Sequence, residues 1–413
     1  MKILFEITNC DSDIAMFEPV IKVLQRKYLQ CELYLLSLCE VIGLHTDQHK
    51  VASIAQDFLQ TYKLPFKVQT RNDGLRGKVS NEMSYLRMLR MKHKVGEHMG
   101  KLLESLHPDV IIFSNDRITP HLSLIKAAKN RRIPTLLVQE SIRKDDHYKL
   151  AKVDRLRLQL IRFLFSVVEG PLLCHGQGGC DRIAAWGETS REYFKMVGVP
   201  EEKVVLTGNP RIESITKRNW QREGHELRKR YSIPEDVSII AFTTNPVDGM
   251  GILTGDQLLE SVSMVVNAVA SLKNVYLFLK PHRFENIERY RRAVAESPAQ
   301  DRILVEKNID LYPLLSISDA CLIFNSTVAL EASVLSVPVA VVNPFQVDMG
   351  IDFVENGLTV EITNEKQLIS FLQSCRSGEY SVATDVIQKY LAIIDGSADM
   401  IADEILKLAT WKR

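Results

Sequence analysis

The sequence predicts an α/β protein made of two doubly wound parallel sheets, one in each half of the chain. Three observations lead there. Short, continuous apolar runs recur along the chain, and stretches with helical spacing separate them. Strands that are apolar at every residue belong to parallel sheets covered on both faces. The rhythm stops between Glu140 and Cys180, and again over the polar stretch Thr216–Arg230, then starts afresh. At 413 residues the chain also exceeds the size at which one core stops growing.

The elements follow in order. Ile3–Ile7 reads as the first strand. Asp13–Tyr28 reads as a helix, with apolar residues at Ile14, Phe17, Ile21 and Leu24 and a cap at Asp11, Ser12 or Asp13. Cys31–Leu38 is a strand, Val51–Tyr62 a helix, Phe66–Gln69 a short strand and Glu82–Leu106 a long helix. Val110–Phe113 and Thr135–Val138 are buried strands on either side of a helix over His121–Asn130. After the break come a strand at Arg182–Trp186, a helix at Ser190–Val197 and a strand at Val204–Leu206. The turn Gly208, Asn209, Pro210 leads into the polar connection. The second half has strands at Ser238–Thr243, Val275–Leu279, Ile303–Val305, Ala320–Ile323 and Val337–Val342. Its helices are Gln257–Ser271, Ile287–Glu296, Leu311–Leu315, Val328–Leu335 and Glu365–Gln373. Helical stretches at Val382–Ile394 and Ala398–Lys412 close the sequence.

Composition narrows the function. Lys plus Arg is 52 and Asp plus Glu is 51, a net charge of +1. A broad nucleic-acid-binding face needs a basic surplus, so no nucleic-acid partner is expected. No apolar run approaches the roughly 18–20 residues that span a bilayer, and Ile3–Ile7 is too short for a secretory core. The seven cysteines are odd in number and scattered, which suits a reduced cytoplasmic protein. Cys174, His175 and Cys180 lack the spacing of a zinc knuckle and have no second pair, so no metal is expected. The turn Thr8–Asp13 contains no glycine, and no GxxxxGK[ST] occurs. A nicotinamide cofactor and an ATPase phosphate loop are both set aside, and no cofactor is expected.

The chemistry concentrates between Lys280 and Glu331. Strand Val275–Leu279 ends in Lys280, Pro281, His282 and Arg283, which either solvate the strand end or meet a phosphate. Strand Ala320–Ile323 runs into Phe324, Asn325, Ser326 and Thr327 before a helix. Small hydroxyl residues there are N-caps first, and the same place offers free N–H groups to an anion. Glu331 sits one turn in, among Ala329, Leu330, Ala332 and Val334. A Glu in a helix that apolar needs a partner, and a ribose diol is one.

Three blocks carry a resemblance that spans most of the chain. They are Thr8–Leu24 (TNCDSDIAMFEPVIKVL), Trp186–Ile212 (WGETSREYFKMVGVPEEKVVLTGNPRI) and Leu322–Val339 (LIFNSTVALEASVLSVPV). Together the chain resembles the GT-B nucleotide-sugar enzymes, and more narrowly the UDP-N-acetylglucosamine 2-epimerases and their glycosyltransferase relatives. The resemblance implies two Rossmann-like domains facing a cleft. It implies Ser326 and Thr327 on phosphate, Glu331 on ribose and His282 near the nucleotide. His282 and the Asn325–Thr327 turn also resemble motifs of bacterial sialyl-, Kdo- and polyol-phosphate transferases, although Arg283 replaces the usual Pro.

The departures separate the two activities. Asp116 fits the acidic residue that epimerases carry after the strand matching Val110–Phe113. Their next Glu aligns with Gln139 here, with Glu140 shifted by one. Their His-Arg-Arg-Glu segment is replaced by Thr244, Asn245, Pro246, Val247, Asp248 and Gly249. Epimerisation at C2 needs placed acids and bases, whereas transfer needs one base and a stabilised leaving diphosphate. The expectation is therefore a metal-independent glycosyltransferase in bacterial surface-polysaccharide or glycoconjugate assembly. It would use a UDP- or CMP-linked donor and a glycan or lipid-linked acceptor. A nucleotide-sugar 2-epimerase is the alternative, and a non-catalytic nucleotide-binding homologue the third. Asp116 is the first candidate base and Glu140 the second; each can equally cap a helix or pair with Arg117 or Arg143. Asn209 and Arg211 read as a structural turn.

The expected domains are residues 1–207, an acceptor half with a basic insertion over 140–180, and residues 213–385, the nucleotide half. Residues 386–413 are expected to cross back to the first. Within the insertion, residues 143–165 interleave Arg143, Lys144, Lys149, Lys152, Arg155, Arg157 and Arg162 with Leu156, Leu158, Leu160, Ile161, Phe163, Leu164 and Phe165. This reads as a surface for an anionic membrane at the inner face, as an oligomer contact such as a homodimer's, or as a solvated charged face.

Overall fold

The computed structural model describes residues 1–8, 10–38, 56–65, 85–142, 174–380, 382 and 384–411. The chain forms two compact units. Unit 1 gathers Met1–Ser141, Asp145–Ser214 and Lys389–Arg413, and unit 2 holds Ile142–Lys144 and Ile215–Gln388.

The strands are β1 (Lys2–Ile7), β2 (Glu32–Ser37), β3 (Gln60–Lys63), β4 (Val110–Phe113), β5 (Thr135–Val138), β6 (Arg182–Ala185) and β7 (Val204–Leu206) in unit 1. Unit 2 has β8 (Ser238–Thr243), β9 (Val275–Lys280), β10 (Ile303–Val305), β11 (Ala320–Ile323), β12 (Val339–Val342) and β13 (Val360–Ile362). In chain order the helices begin with α1 (Cys10–Lys27), α2 (Tyr85–Leu106), α3 (Thr119–Asn130), α4 (Glu188–Met196), α5 (Pro210–Thr216), α6 (Gln221–Arg230) and α7 (Gly255–Ser271). They continue with α8 (Ile287–Ala295), α9 (Leu311–Ser316), α10 (Val328–Val334), α11 (Glu365–Arg376), α12 (Thr384–Tyr390) and α13 (Ser397–Ala409).

Every strand pairing is parallel. The orders are β3-β2-β1-β4-β5-β6-β7 and β10-β9-β8-β11-β12-β13. Each sheet thus starts in its middle, winds one way, returns and winds the other. The reversal falls between β1 and β4 in unit 1, and between β8 and β11 in unit 2. Such switch points open a crevice at the carboxyl ends of the strands.

The unit 1 sheet is buried on both faces because its strand residues alternate. Ile3, Phe5 and Ile7 pack against Phe17, Val20 and Leu24 of α1 and Ile401 and Ile405 of α13. Leu4 points the other way, into a cluster with Met99 and Leu103 of α2 and Leu124 of α3. Each such side chain contributes about 1.5–3 kcal/mol by leaving water.

The amino ends of the strands share one device. The carboxylates of Asp109, Asp181 and Asp319, each at the start of a strand, accept the N–H of Lys2, Thr135 and Ile239 on the neighbouring strand, at 2.7, 2.9 and 2.9 Å. Each Asp N–H returns the bond to a carbonyl of that neighbour. A two-way bond of this kind helps to fix the register of the adjacent strands.

The chain's last segment completes unit 1. Gly208, at φ +73°, lies where a Cβ would come within 2.0 Å of the Ile393 carbonyl oxygen. Glu213, nearly fully buried, accepts the N–H of Gly396 at 3.0 Å and of Ala398 at 2.9 Å. It caps α13 from another part of the chain, where an anion also meets the positive end of the helix dipole.

Several expectations change. Val51–Tyr62 is not a helix through its described part: Gln60–Lys63 is an edge strand with outward polar residues. Thr216–Arg230 is not only a connection, since α5 ends and α6 forms within it. Val360–Ile362 is a strand that the sequence did not announce. The stretch Val382–Ile394 is helical only over Thr384–Tyr390. Phe66–Gln69 and residues 143–165 lie outside the described residues, as does all of the insertion except 140–142 and 174–180. No described helix is long and apolar enough to cross a membrane.

Replacing Glu213 with Ala is expected to lower unfolding stability by about 2–3 kcal/mol, the loss of an anionic acceptor serving one buried and one half-buried N–H group. Urea denaturation measures it, and a change below 0.5 kcal/mol would contradict the capping role.

Candidate functional site

Unit 2 presents its polar groups at the carboxyl ends of β8, β9 and β11. Their common anchor is Glu285, almost wholly buried. Its Oε2 accepts the Thr244 hydroxyl at 2.6 Å and the His282 backbone N–H at 2.8 Å. Its Oε1 accepts the Tyr290 hydroxyl at 2.5 Å and the Arg289 guanidinium at 2.8 Å. Arg289 also binds Asp248 at 2.7 Å, and Lys307 Nζ donates to the Glu285 carbonyl at 2.8 Å. The carboxylate thereby ties together the loops that follow β8 and β9, and the backbone carbonyl of the same residue adds the loop after β10. Sequence reading passed over Glu285, whose only local sign is an acid amid Lys280, His282 and Arg283.

Around this anchor Lys280, His282 and Arg283 stand together. Lys280 is half-buried, donates to the Lys307 carbonyl at 3.2 Å, and burial lowers its pKa. Burial also lowers the His282 pKa, and the neighbouring Arg283 charge lowers it further. The imidazole is therefore neutral near pH 7, and its Nδ1 accepts the Phe284 N–H at 3.3 Å. Arg283 is exposed, with its guanidinium 4.8 Å from the centre of the exposed Phe284 ring.

The second group follows β11. Asn325, Ser326 and Thr327 form a half-buried turn, and Glu331 is buried in the first turn of α10. The Ser326 hydroxyl already accepts the Val328 N–H at 3.2 Å, the ordinary local use of a serine at a helix start. α10 is seven residues long, one fewer than the sequence suggested. Asn245, after β8, accepts the Asn325 N–H at 3.3 Å across the switch point. The β8 loop therefore links both groups, through Thr244 to Glu285 and through Asn245 to Asn325. The Asn325 amide binds the Met349 carbonyl, and beside it opens a cavity of about 420 Å³. Phe324, Asn325, Gln346, Asp348, Phe353 and Glu361 are among its lining residues.

Unit 1 treats its two candidate bases differently. Asp116 is fully buried, and each of its oxygens is already taken. Oδ1 accepts the Gly176 N–H at 3.1 Å and Oδ2 the Gly178 N–H at 2.7 Å. Gly178 approaches so closely that a Cβ would lie 2.1 Å from the Asp116 carbonyl oxygen. Asp116 thus holds the 174–179 loop. Glu140 is only half-buried and accepts the Ser12 hydroxyl at 2.7 Å. Gln139 is buried, and its side-chain oxygen accepts the Trp186 backbone N–H at 3.0 Å. The indole N–H donates to its carbonyl at 2.7 Å. Asn209 turns on itself, accepting the Arg211 N–H at 2.9 Å. Among the described residues no three His, Cys, Asp or Glu side chains are placed to hold a metal ion.

No protein-family model matches the sequence, and no curated protein matches it. Solved structures do. The UDP-GlcNAc 2-epimerase from Neisseria meningitidis, bound to UDP-GlcNAc, matches with a TM-score of 0.64 at 15% identity, over 98% of this chain and 100% of that one. The fold is GT-B. The S. aureus MnaA–UDP co-structure matches this GT-B chain at a TM-score of 0.61 and 16% identity, over 100% and 98%. The wall teichoic acid polymerase TagF, soaked with CDPG, matches at 0.54 and 14%, over 99% and 88%. GT-B proteins that resemble this one thus include both epimerases and a polymerase.

Glu285→Ala is expected to cost about 3 kcal/mol or more, because it strands the Thr244 and Tyr290 hydroxyls, the His282 N–H and the Arg289 guanidinium. Thermal unfolding with and without UDP reads both stability and ligand protection. Wild-type behaviour in both would show that Glu285 does not organise these loops.

Proposed function

We propose that the protein is a nucleotide-sugar enzyme, and that it transfers the sugar to an acceptor hydroxyl. The carrying observation is the carboxyl edge of unit 2, where cations after β9 and a polar turn after β11 flank β8, next to a cavity of about 420 Å³. In this reading Lys280, His282 and Arg283 meet the diphosphate with Asn325, Ser326 and Thr327, and Glu331 accepts the ribose hydroxyls. The cavity beside Asn325 takes the sugar. Lys280 and Arg283 offset the charge that develops on the leaving diphosphate.

One accessible carboxylate supports transfer over epimerisation. Glu140 keeps an oxygen available beyond its bond to Ser12, whereas Asp116 and Gln139 are committed to the 174–179 loop and Trp186. Glu140 is therefore the base we assign to the acceptor hydroxyl, with Asp116 in support of the loop. A 2-epimerase remains the second reading, because the GT-B structures that match at 0.64 and 0.61 are named as an epimerase and MnaA, above the polymerase at 0.54. A glycan or lipid-linked acceptor, and contact with an anionic membrane through residues 143–165, belong to the transferase reading.

Incubation with UDP-, CDP-, CMP- and GDP-linked sugars, followed by NMR, separates these readings. Slow release of the nucleotide with C2 unchanged supports transfer. A sugar inverted at C2 supports epimerase, and no binding of any nucleotide overturns both. Glu140→Gln is expected to lower turnover about 100-fold or more with little change in donor affinity, the usual weight of a general base.

The His282 shift gives a further outcome. Its free pKa lies below 6.5, and a bound diphosphate would raise it. Binding then takes up a proton, so UDP affinity should strengthen as pH falls from 8 toward 5.5. Titration calorimetry in buffers of different ionisation enthalpy measures that uptake, and His282→Ala should abolish it.

A further inference from the structure

The switch point of unit 1 holds a polar cluster that the proposed reaction does not use. Glu6 and His121 are fully buried there, Asp13 and Ser114 nearly so, and Thr8 is 8% exposed. The His121 Nε2 lies 2.6 Å from the Thr8 hydroxyl and 3.1 Å from Glu6 Oε1. The Thr8 hydroxyl lies 2.5 Å from the same Glu6 oxygen. Asp13 accepts the Thr8 N–H at 2.6 Å and the Ser114 hydroxyl at 2.8 Å. The donor count then fixes the roles. Thr8 has one hydroxyl proton and gives it to Glu6, so its oxygen accepts from a proton on Nε2. Nδ1 has no hydrogen-bond partner among the described residues.

This cluster joins the ends of β1 and β4 to the start of α1, and the next link is catalytic in the proposed reading. Ser12, one residue before Asp13, donates to Glu140 at the end of β5. Burying two carboxylates and an imidazole is unfavourable where apolar side chains would fill the same space. Such a group is most useful where a turn must be held in one arrangement. We propose that His121 is a positioning residue: through Thr8 and Glu6 it sets the β1–α1 turn, and through Ser12 it sets the orientation of Glu140. The proposal rests on the reading of Glu140 as the base.

Two substitutions separate positioning from bulk stability. His121→Gln can return a nitrogen donor to the place of Nε2, whereas His121→Asn cannot. Thr8→Val keeps the shape and removes the linking hydroxyl. Amide hydrogen exchange is measured on the full chain, without ligand, at Thr8, Ser12 and Asp13, with the β8 amides as reference. His121→Asn and Thr8→Val should each speed exchange at the turn about 10-fold or more and leave β8 unchanged, and His121→Gln should restore protection. Equal exchange in His121→Asn and wild type, or identical behaviour of the Asn and Gln variants, overturns the proposal.

Turnover adds a second readout, measured as UDP release from UDP-GlcNAc. His121→Asn should lower kcat about 10-fold with KM little changed in the wild-type background, and less than 2-fold in Glu140→Gln. Losses that multiply in the double variant would mean that His121 does not act through Glu140. If Glu140→Gln itself keeps full turnover, the assignment of the base fails, while the exchange data still decide whether His121 holds the turn.

Discussion

A carboxylate that accepts backbone N–H groups is the interaction on which both units depend. Parallel sheets leave their strand ends without ladder partners, and those ends must meet something before loops can be shaped. Asp109, Asp181 and Asp319 serve the amino ends, each in a two-way bond with the adjacent strand. Asp13, Asp116 and Glu285 serve the carboxyl ends, binding Thr8, the 174–179 loop and His282. Glu213 does the same for α13. Charged acceptors form stronger bonds than neutral ones, which suits positions where one group must hold a whole loop.

The same interaction divides the acids by role. Asp116, fully buried with an oxygen on each of two backbone N–H groups, is enclosed by the loop it holds. Glu140, half-buried beside the Ser12 hydroxyl, is not. Burial and bonding partners therefore rank acids that look equivalent in the sequence. In unit 2 the anchor Glu285 and the groups it positions, His282 above all, are separate residues, so the loop is held without using the side chains that face solvent.

Much of the fold could be read from residue order. Val110–Phe113, Thr135–Val138, Val204–Leu206, Ser238–Thr243, Ile303–Val305 and Ala320–Ile323 have the bounds that their apolar runs imply. The misses have a common cause. Gln60–Lys63 and Val360–Ile362 are edge strands with exposed positions, so they carry little apolar signal, and an edge needs little. The candidate site was legible as far as its loops, because Lys280–Arg283 and Asn325–Thr327 follow recognisable strands. Its anchors were not. The bond from His121 to Thr8 spans 113 residues and that from Glu213 to Ala398 spans 185, and no local pattern marks either end.

The position of α13 has a consequence for how the protein is made. Ala398, Ile401 and Ile405 form part of the core that lies on Ile3 and Phe5. Strand β1 therefore waits for α13, and the apolar face it shares with α1 stays partly open while all of unit 2 is synthesised. Unit 2, by contrast, has its six strands in one continuous stretch and can close while translation continues. Unit 1 therefore closes only after unit 2 has been made, and its apolar face stays open to other chains during that interval.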